Sequence, residues 1–160
     1  DYMFSDSNNH SRIYSGYKLS GRPGHFAIDI IHKTSPIINK QPIYSPVSGK
    51  VAYAVPNHTG SGNYVVIDAD SFWTGTGNRL RVTFAHLEYP SPLKNNDIVR
   101  KGDLIGYVGN TGRSDGYHLH FAVYQTTNKS DFWERSDNSI NPQTIYPSIP
   151  FTDKVSSVTP

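Results

Sequence analysis

The sequence contains no cysteine, and its 160 residues carry a formal net charge of only +2. The first absence removes disulfides, thiolate zinc sites and cysteine nucleophiles together. It suits a cytosolic chain as well as an exported one that does without disulfides, so it does not decide the compartment. The charge is small and scattered. Its densest basic spot, Arg100 and Lys101, is a short polar turn, which is no electrostatic footprint for nucleic acid. No apolar run approaches the ~20 residues of a membrane span, and no secretory signal is recognisable. The opening "DYMFSDSNNH" lacks an initiator methionine and reads as the start of a mature or excised domain. Internal repeats, low-complexity tracts and long amphipathic helical patterns are missing too.

What the chain does have is 11 Tyr, 13 Gly and 11 Pro against 18% charged residues. Aromatics and turn formers in that proportion favour a loop-rich β protein. β-branched and aromatic runs predict strands over 25–31, 63–69, 80–87, 103–109 and 117–124, with two short strands around a Ser-Gly turn in 42–55. The expectation is one all-β, antiparallel domain over 13–150, with a polar lead-in over 1–12 and a tail over 151–160.

Seven histidines fall at positions 10, 25, 32, 58, 86, 118 and 120. A single histidine in a strand is usually a packed or surface residue, but several at metal-ligand spacing carry more meaning. In "GYHLHF", His118 and His120 are two apart and share one face of a strand. His25 and Asp29 are four apart in "HFAID", again one face, whereas His32 is an odd step away and turns aside. His86 closes the strand "VTFAH". The candidate set is therefore His25, Asp29, His86, His118 and His120. Catalytic zinc takes three protein nitrogen or oxygen ligands and keeps a fourth position for water. A closed structural site would use four ligands and leave no histidine spare, so five candidates favour catalysis. Two histidines would remain as proton acceptor and oxyanion stabiliser. Spacing alone does not divide ligands from catalysts.

"RPGHFAIDI", "PIYSPVSGKV", "FAHL", "RKGDLIGYVGNTGRSDGYHLHFAV" and "INPQTIYP" occur in that order. Together they resemble the lysostaphin/LytM-type zinc endopeptidases, which cut peptide bonds in bacterial peptidoglycan, over nearly the whole chain. The resemblance implies a duplicated-hybrid-motif architecture: antiparallel sheets with long loops walling a groove. It implies one zinc ion held by His25, Asp29 and His120, with His118 and His86 as catalytic histidines. It also implies a peptidoglycan peptide substrate, action outside the cytoplasm and a monomer, and it leaves room for an upstream regulatory segment or partner. Two positions depart from the family pattern. Ala27 stands where glycine is usual, and Ala122 stands where glutamate is frequent, on the face of His118 and His120, so a partner to the ligands is missing there.

Other residues read as structural. Tyr14 and Tyr17 suit packing; 110–113 suits a turn that could wall the groove; Trp73 and Trp133 suit loop pinning; His10, His32 and His58 carry no role. The glycines of "TGTGN" and "GNTG" lack the strand–loop–helix context of a phosphate loop. Two rival readings exist. One is a scaffold or activator of the same fold without catalysis, which predicts loss of at least one of the five positions, and none is lost. The other is a biotinyl or lipoyl carrier, suggested by "SPVSGKV" and "NNDIVRKGDLIG", but no lysine lies between Lys50 and Lys94 to be modified.

Overall fold

The computed structural model describes residues 11–15, 17, 24–32, 41–72, 76–126, 134 and 137–144, the first five and His32 by backbone only. His10, Trp73, Trp133, most of the expected lead-in and the whole of the tail lie outside these residues. The strands are β1 (Ser11–Ser15), β2 (Ile28–His32), β3 (Pro42–Tyr44), β4 (Gly49–His58) and β5 (Gly62–Phe72). They continue as β6 (Arg79–Leu87), β7 (Ile98–Val99), β8 (Leu104–Tyr107), β9 (Leu119–Thr126) and β10 (Ser139–Ile140). A single 3-10 turn, Pro142–Thr144, is the one helical element among the described residues.

One sheet of eight strands runs β1-β2-β9-β6-β5-β4-β7, with β10 also pairing β9; β3 and β8 form a second, two-stranded sheet. Every pairing is antiparallel. The all-β, antiparallel expectation is met. The strands β1, β7 and β10 were not anticipated: two are only two residues long, and the third pairs at a sheet edge where pattern is weak.

Period-2 alternation sorts the large sheet into two faces. Ile28 and Ile30 on β2, Val65 and Ile67 on β5, Val82 and Phe84 on β6, and Phe121 and Val123 on β9 are all buried in one cluster. Ile43 and Ile105 from the small sheet join it, so the core lies between the two sheets. The opposite face of β9 carries His120, Ala122 and Tyr124. Their cross-strand partners are Asp29 and Ala85 for His120, Thr83 for Ala122 and Arg81 for Tyr124. This second face is also largely buried, and it is polar. Arg81, 2% exposed, donates from Nε to Asp68 Oδ1 and lies 5.5 Å over the Tyr53 ring.

Candidate metal centre and active site

β2 and β9 are neighbours, and their register sets Asp29 directly opposite His120. Asp29 Oδ1 is the point on which the site converges. It lies 3.3 Å from His25 Nε2, 3.3 Å from His120 Nδ1 and 3.6 Å from His118 Nε2. His25 does not reach it by strand alternation. β2 begins at Ile28, so His25 sits in the segment that leads into the strand, behind a fully buried Ala27.

His25, Asp29 and His120 each bring one donor atom within 4.8 Å of the other two. The set fits zinc in kind and in size. It offers two imidazole nitrogens and one carboxylate oxygen, and ligands ~2.0–2.1 Å from a tetrahedral ion stand about 3.3 Å apart along an edge. Three protein donors leave a coordination position for a small molecule. Burial alone would raise the Asp29 pKa, but hydrogen bonds and charge from His120 and His25 outweigh it and hold the carboxyl well below its usual range.

His120 is gripped from its other side. Nε2 donates to Glu134 Oε1 at 2.9 Å. Burial works against its protonation, but Asp29 and Glu134 together raise its pKa to about 9.

His118 and His86 complete the cluster, their rings 4.9 Å apart at the centroids, and His86 stands 5.8 Å from His120. His118 enters through a bridge to Gly109 just ahead of β9. Its Nδ1 donates to Gly116 O at 2.8 Å, with Ser114 Oγ at 3.3 Å. His86 gets there by breaking the pleat. Ala85 pairs with His120 and shares its face, so in a regular strand the next residue would point into the core. Instead β6 takes three steps from Phe84 to Leu87 where β5 takes two from Val65 to Asn63, and His86 sits at φ 63°. This is a β-bulge with histidine in the left-handed position, a device that re-aims a side chain. His86 N donates to Ser61 O at 2.8 Å and Nδ1 donates to Thr111 O at 2.7 Å. Burial pushes the His86 pKa down to about 4, only partly offset by the Thr111 carbonyl.

The turn that supplies Thr111 is itself locked. Thr111 Oγ1 donates to Leu87 O and accepts from Asn63 N, and Asn63 Nδ2 donates to the same Leu87 carbonyl. Gly112 and Gly62, both at positive φ, pack so closely that a Cβ on Gly112 would lie 2.2 Å from Gly62 N. Residues 113–118 continue from this turn along a groove of about 690 Å³, whose floor is Asp29, His86, His118 and His120.

All five candidates thus meet in one place. Sequence reasoning missed Glu134, the carbonyls of Thr111 and Gly116, and the left-handed backbone at His86. The Thr-Gly turn ahead of His118 was the available signal for the Thr111 carbonyl. Tyr17 fills a packing role, hydrogen bonded to Ser139 and tilted on Phe26. His58 caps a turn by accepting from Gly60 N and Ser61 N.

The chain is 37% identical over 82 residues to peptidoglycan DD-endopeptidase ShyB of Vibrio cholerae, covering 51% of this chain and 17% of that protein. A crystal structure of a zinc-containing peptidase from V. cholerae superposes with TM-score 0.58 at 31% identity, over 76% of this chain and 35% of that one. Lysostaphin from Staphylococcus simulans shares the fold with TM-score 0.68 at 23% identity, over 100% of this chain and 59% of the other. The chain therefore spans well under half the length of its Vibrio relatives. Residues 24–132, from just before His25 to beyond His120, match the profile of Peptidase family M23, and the chain belongs to that family.

Proposed function

We propose that the chain is a zinc-dependent endopeptidase acting outside the cytoplasm, as a monomer, on peptide cross-links or stem peptides of bacterial peptidoglycan. The observation that carries this reading is the convergence of His25 Nε2, His120 Nδ1 and His118 Nε2 on Asp29 Oδ1 at 3.3–3.6 Å, on the floor of a groove. The relatives' peptidoglycan activity supplies the substrate class.

His25, Asp29 and His120 would hold the ion. When bound, zinc supplies Lewis acidity toward the scissile carbonyl and makes water acidic enough to ionise near neutral pH. The other two histidines handle protons. Each gives its Nδ1–H to a main-chain carbonyl, which leaves Nε2 as the acceptor of the neutral ring. His118 Nε2, nearer to Asp29, takes a proton from the attacking water and returns it to the leaving amine. His86 stays neutral through most of the physiological range because burial holds its pKa to about 4. It begins as an acceptor that orients a water or amide N–H, and can steady a developing oxyanion only after taking up a proton.

Two measurements test the reading: metal content of the purified chain, and mass spectrometry of fragments released from peptidoglycan sacculi. His118→Ala should retain zinc and lose turnover by two orders of magnitude or more, whereas His120→Ala should lose zinc. Equal zinc and equal activity in both variants would overturn the assignment, and an unaltered fragment pattern with the wild-type chain would overturn the activity.

A further inference from the structure

Glu134 reaches the site from outside β9, 14 residues beyond His120. We propose that Glu134 is a positioning residue of the metal centre, fixing the tautomer and ring orientation of His120 so that Nδ1 turns its lone pair beside Asp29. The inference rests on the zinc reading given above.

The argument is one of proton counting. A neutral imidazole carries one N–H, and an ionised carboxylate can only accept. Asp29 and Glu134 flank both ring nitrogens, and a cation entering beside Asp29 displaces the proton on Nδ1; Glu134 Oε1, 2.9 Å from Nε2, keeps the remaining N–H there, so that Nδ1, 3.3 Å from Asp29 Oδ1, is the ligating atom. His86 and His118 rest their N–H groups on neutral carbonyls, whereas His120 rests on a full charge, which makes its ring a stronger donor to a cation. The contact is sheltered, with side chains 19% and 12% exposed. Glu134 Oε2 is buried with no hydrogen-bond partner among the described residues, so the bond to His120 is what fixes the carboxylate in place.

Ala122 explains how a residue so far along the chain fits. His120, Ala122 and Tyr124 share one face of β9, and the charge of Glu134 acts on both His120 and Tyr124. A methyl group at position 122, beside His120 on that face, leaves room for a carboxylate that arrives from elsewhere in the chain. The partner missing at position 122 is supplied from position 134.

The test is zinc affinity of the chelator-stripped protein, titrated against a chromogenic competitor, for wild type, Glu134→Ala and Glu134→Gln, with the metal-free Tm measured alongside. Glu134→Ala should weaken zinc about 10–100-fold. Glu134→Gln, whose amide oxygen still accepts the N–H without the charge, should fall between it and wild type with a metal-free Tm close to wild type. A wild type that binds one zinc and a Glu134→Ala variant within threefold of it would overturn the inference alone. If Glu134→Ala fails to fold, Glu134→Gln decides: about fivefold weaker binding supports the role, and affinity equal to wild type overturns it. A wild type that binds no zinc overturns this inference and the proposed function together.

Discussion

Stripped of metal by a chelator, the protein should be most stable near pH 6.5 and should weaken on either side, with one histidine responsible for each flank. His120 is raised from 6.5 to about 9, a stabilisation of the folded state that is complete below pH 6.5 and is lost as pH rises through about 9. His86 is lowered from 6.5 to about 4, so its contribution is complete above pH 6.5 and is lost as pH falls through about 4. Each shift spans roughly 2.5 units at about 1.4 kcal/mol per unit, or about 3 kcal/mol per flank. Solvent screening takes little from either figure, since His86 is 8% exposed and the His120 side chain 19%. Asp29, held well below the usual carboxylate range, stays ionised across this window and adds no flank of its own. Urea unfolding followed by tryptophan fluorescence from pH 4.5 to 9.5 measures the curve. His120→Asn should flatten the alkaline side. His86→Asn should flatten the acid side and still fold, because asparagine tolerates the left-handed backbone. On the proposed reading zinc would compete with the proton for Nδ1 of His120, so zinc-loaded protein should lose its alkaline flank and release a proton on binding at pH 7.5. A metal-free curve flat to within 1 kcal/mol between pH 5 and 9, or flanks unchanged by the two variants, would refute the reasoning.

Two further outcomes follow from packing. Gly112→Ala places a Cβ 2.2 Å from Gly62 N at a residue with φ 73°, so the turn must shift. Urea unfolding should show a loss of about 1–3 kcal/mol, with turnover reduced and zinc stoichiometry unchanged. Asp68→Asn leaves the Arg81 guanidinium, 2% exposed, without its carboxylate. Removing one member of a buried pair costs about 3–5 kcal/mol, and the 28% exposure of the Asp68 side chain together with Tyr53 and Tyr124 around the guanidinium places this case at the lower end or just below. Zinc affinity should not change.

The cluster of His25, Asp29, His118 and His120 was legible because it is written in the chain as side-chain chemistry at short spacing: His-x-x-x-Asp and His-x-His. The strands were legible for the same reason, through alternation in "YVVID" and "RVTFA". What escaped is written in the backbone or across long separations. Thr111 and Gly116 contribute carbonyls, which every residue has, so identity gives no clue to them. Glu134 stands in a polar stretch, "DFWERSDN", where a glutamate is expected on any solvated loop, and only the fold brings it to His120. Alternation also gave the right partners for a partly wrong reason, since His25 precedes β2 and reaches Asp29 from an irregular segment.

The bulge at His86 joins fold to chemistry. A strand neighbouring β9 can aim only its odd-numbered positions, Arg81, Thr83 and Ala85, at the face that carries His120. A histidine at position 86 belongs to the core face by pleat alone, and there its imidazole would face the apolar cluster of the core. The extra residue in β6 reverses that parity at the strand end without disturbing the Phe84–Phe121 contact one step earlier. The left-handed conformation it requires costs a non-glycine residue of order 1–3 kcal/mol, and the surrounding bonds offset it: Ser61 O to the backbone, Thr111 O to the ring, Asn63 and Thr111 to Leu87 O. On the proposed reading these bonds serve catalysis as well as folding, because a loosened turn would let position 86 relax toward the ordinary pleat and carry its imidazole away from His118 and His120.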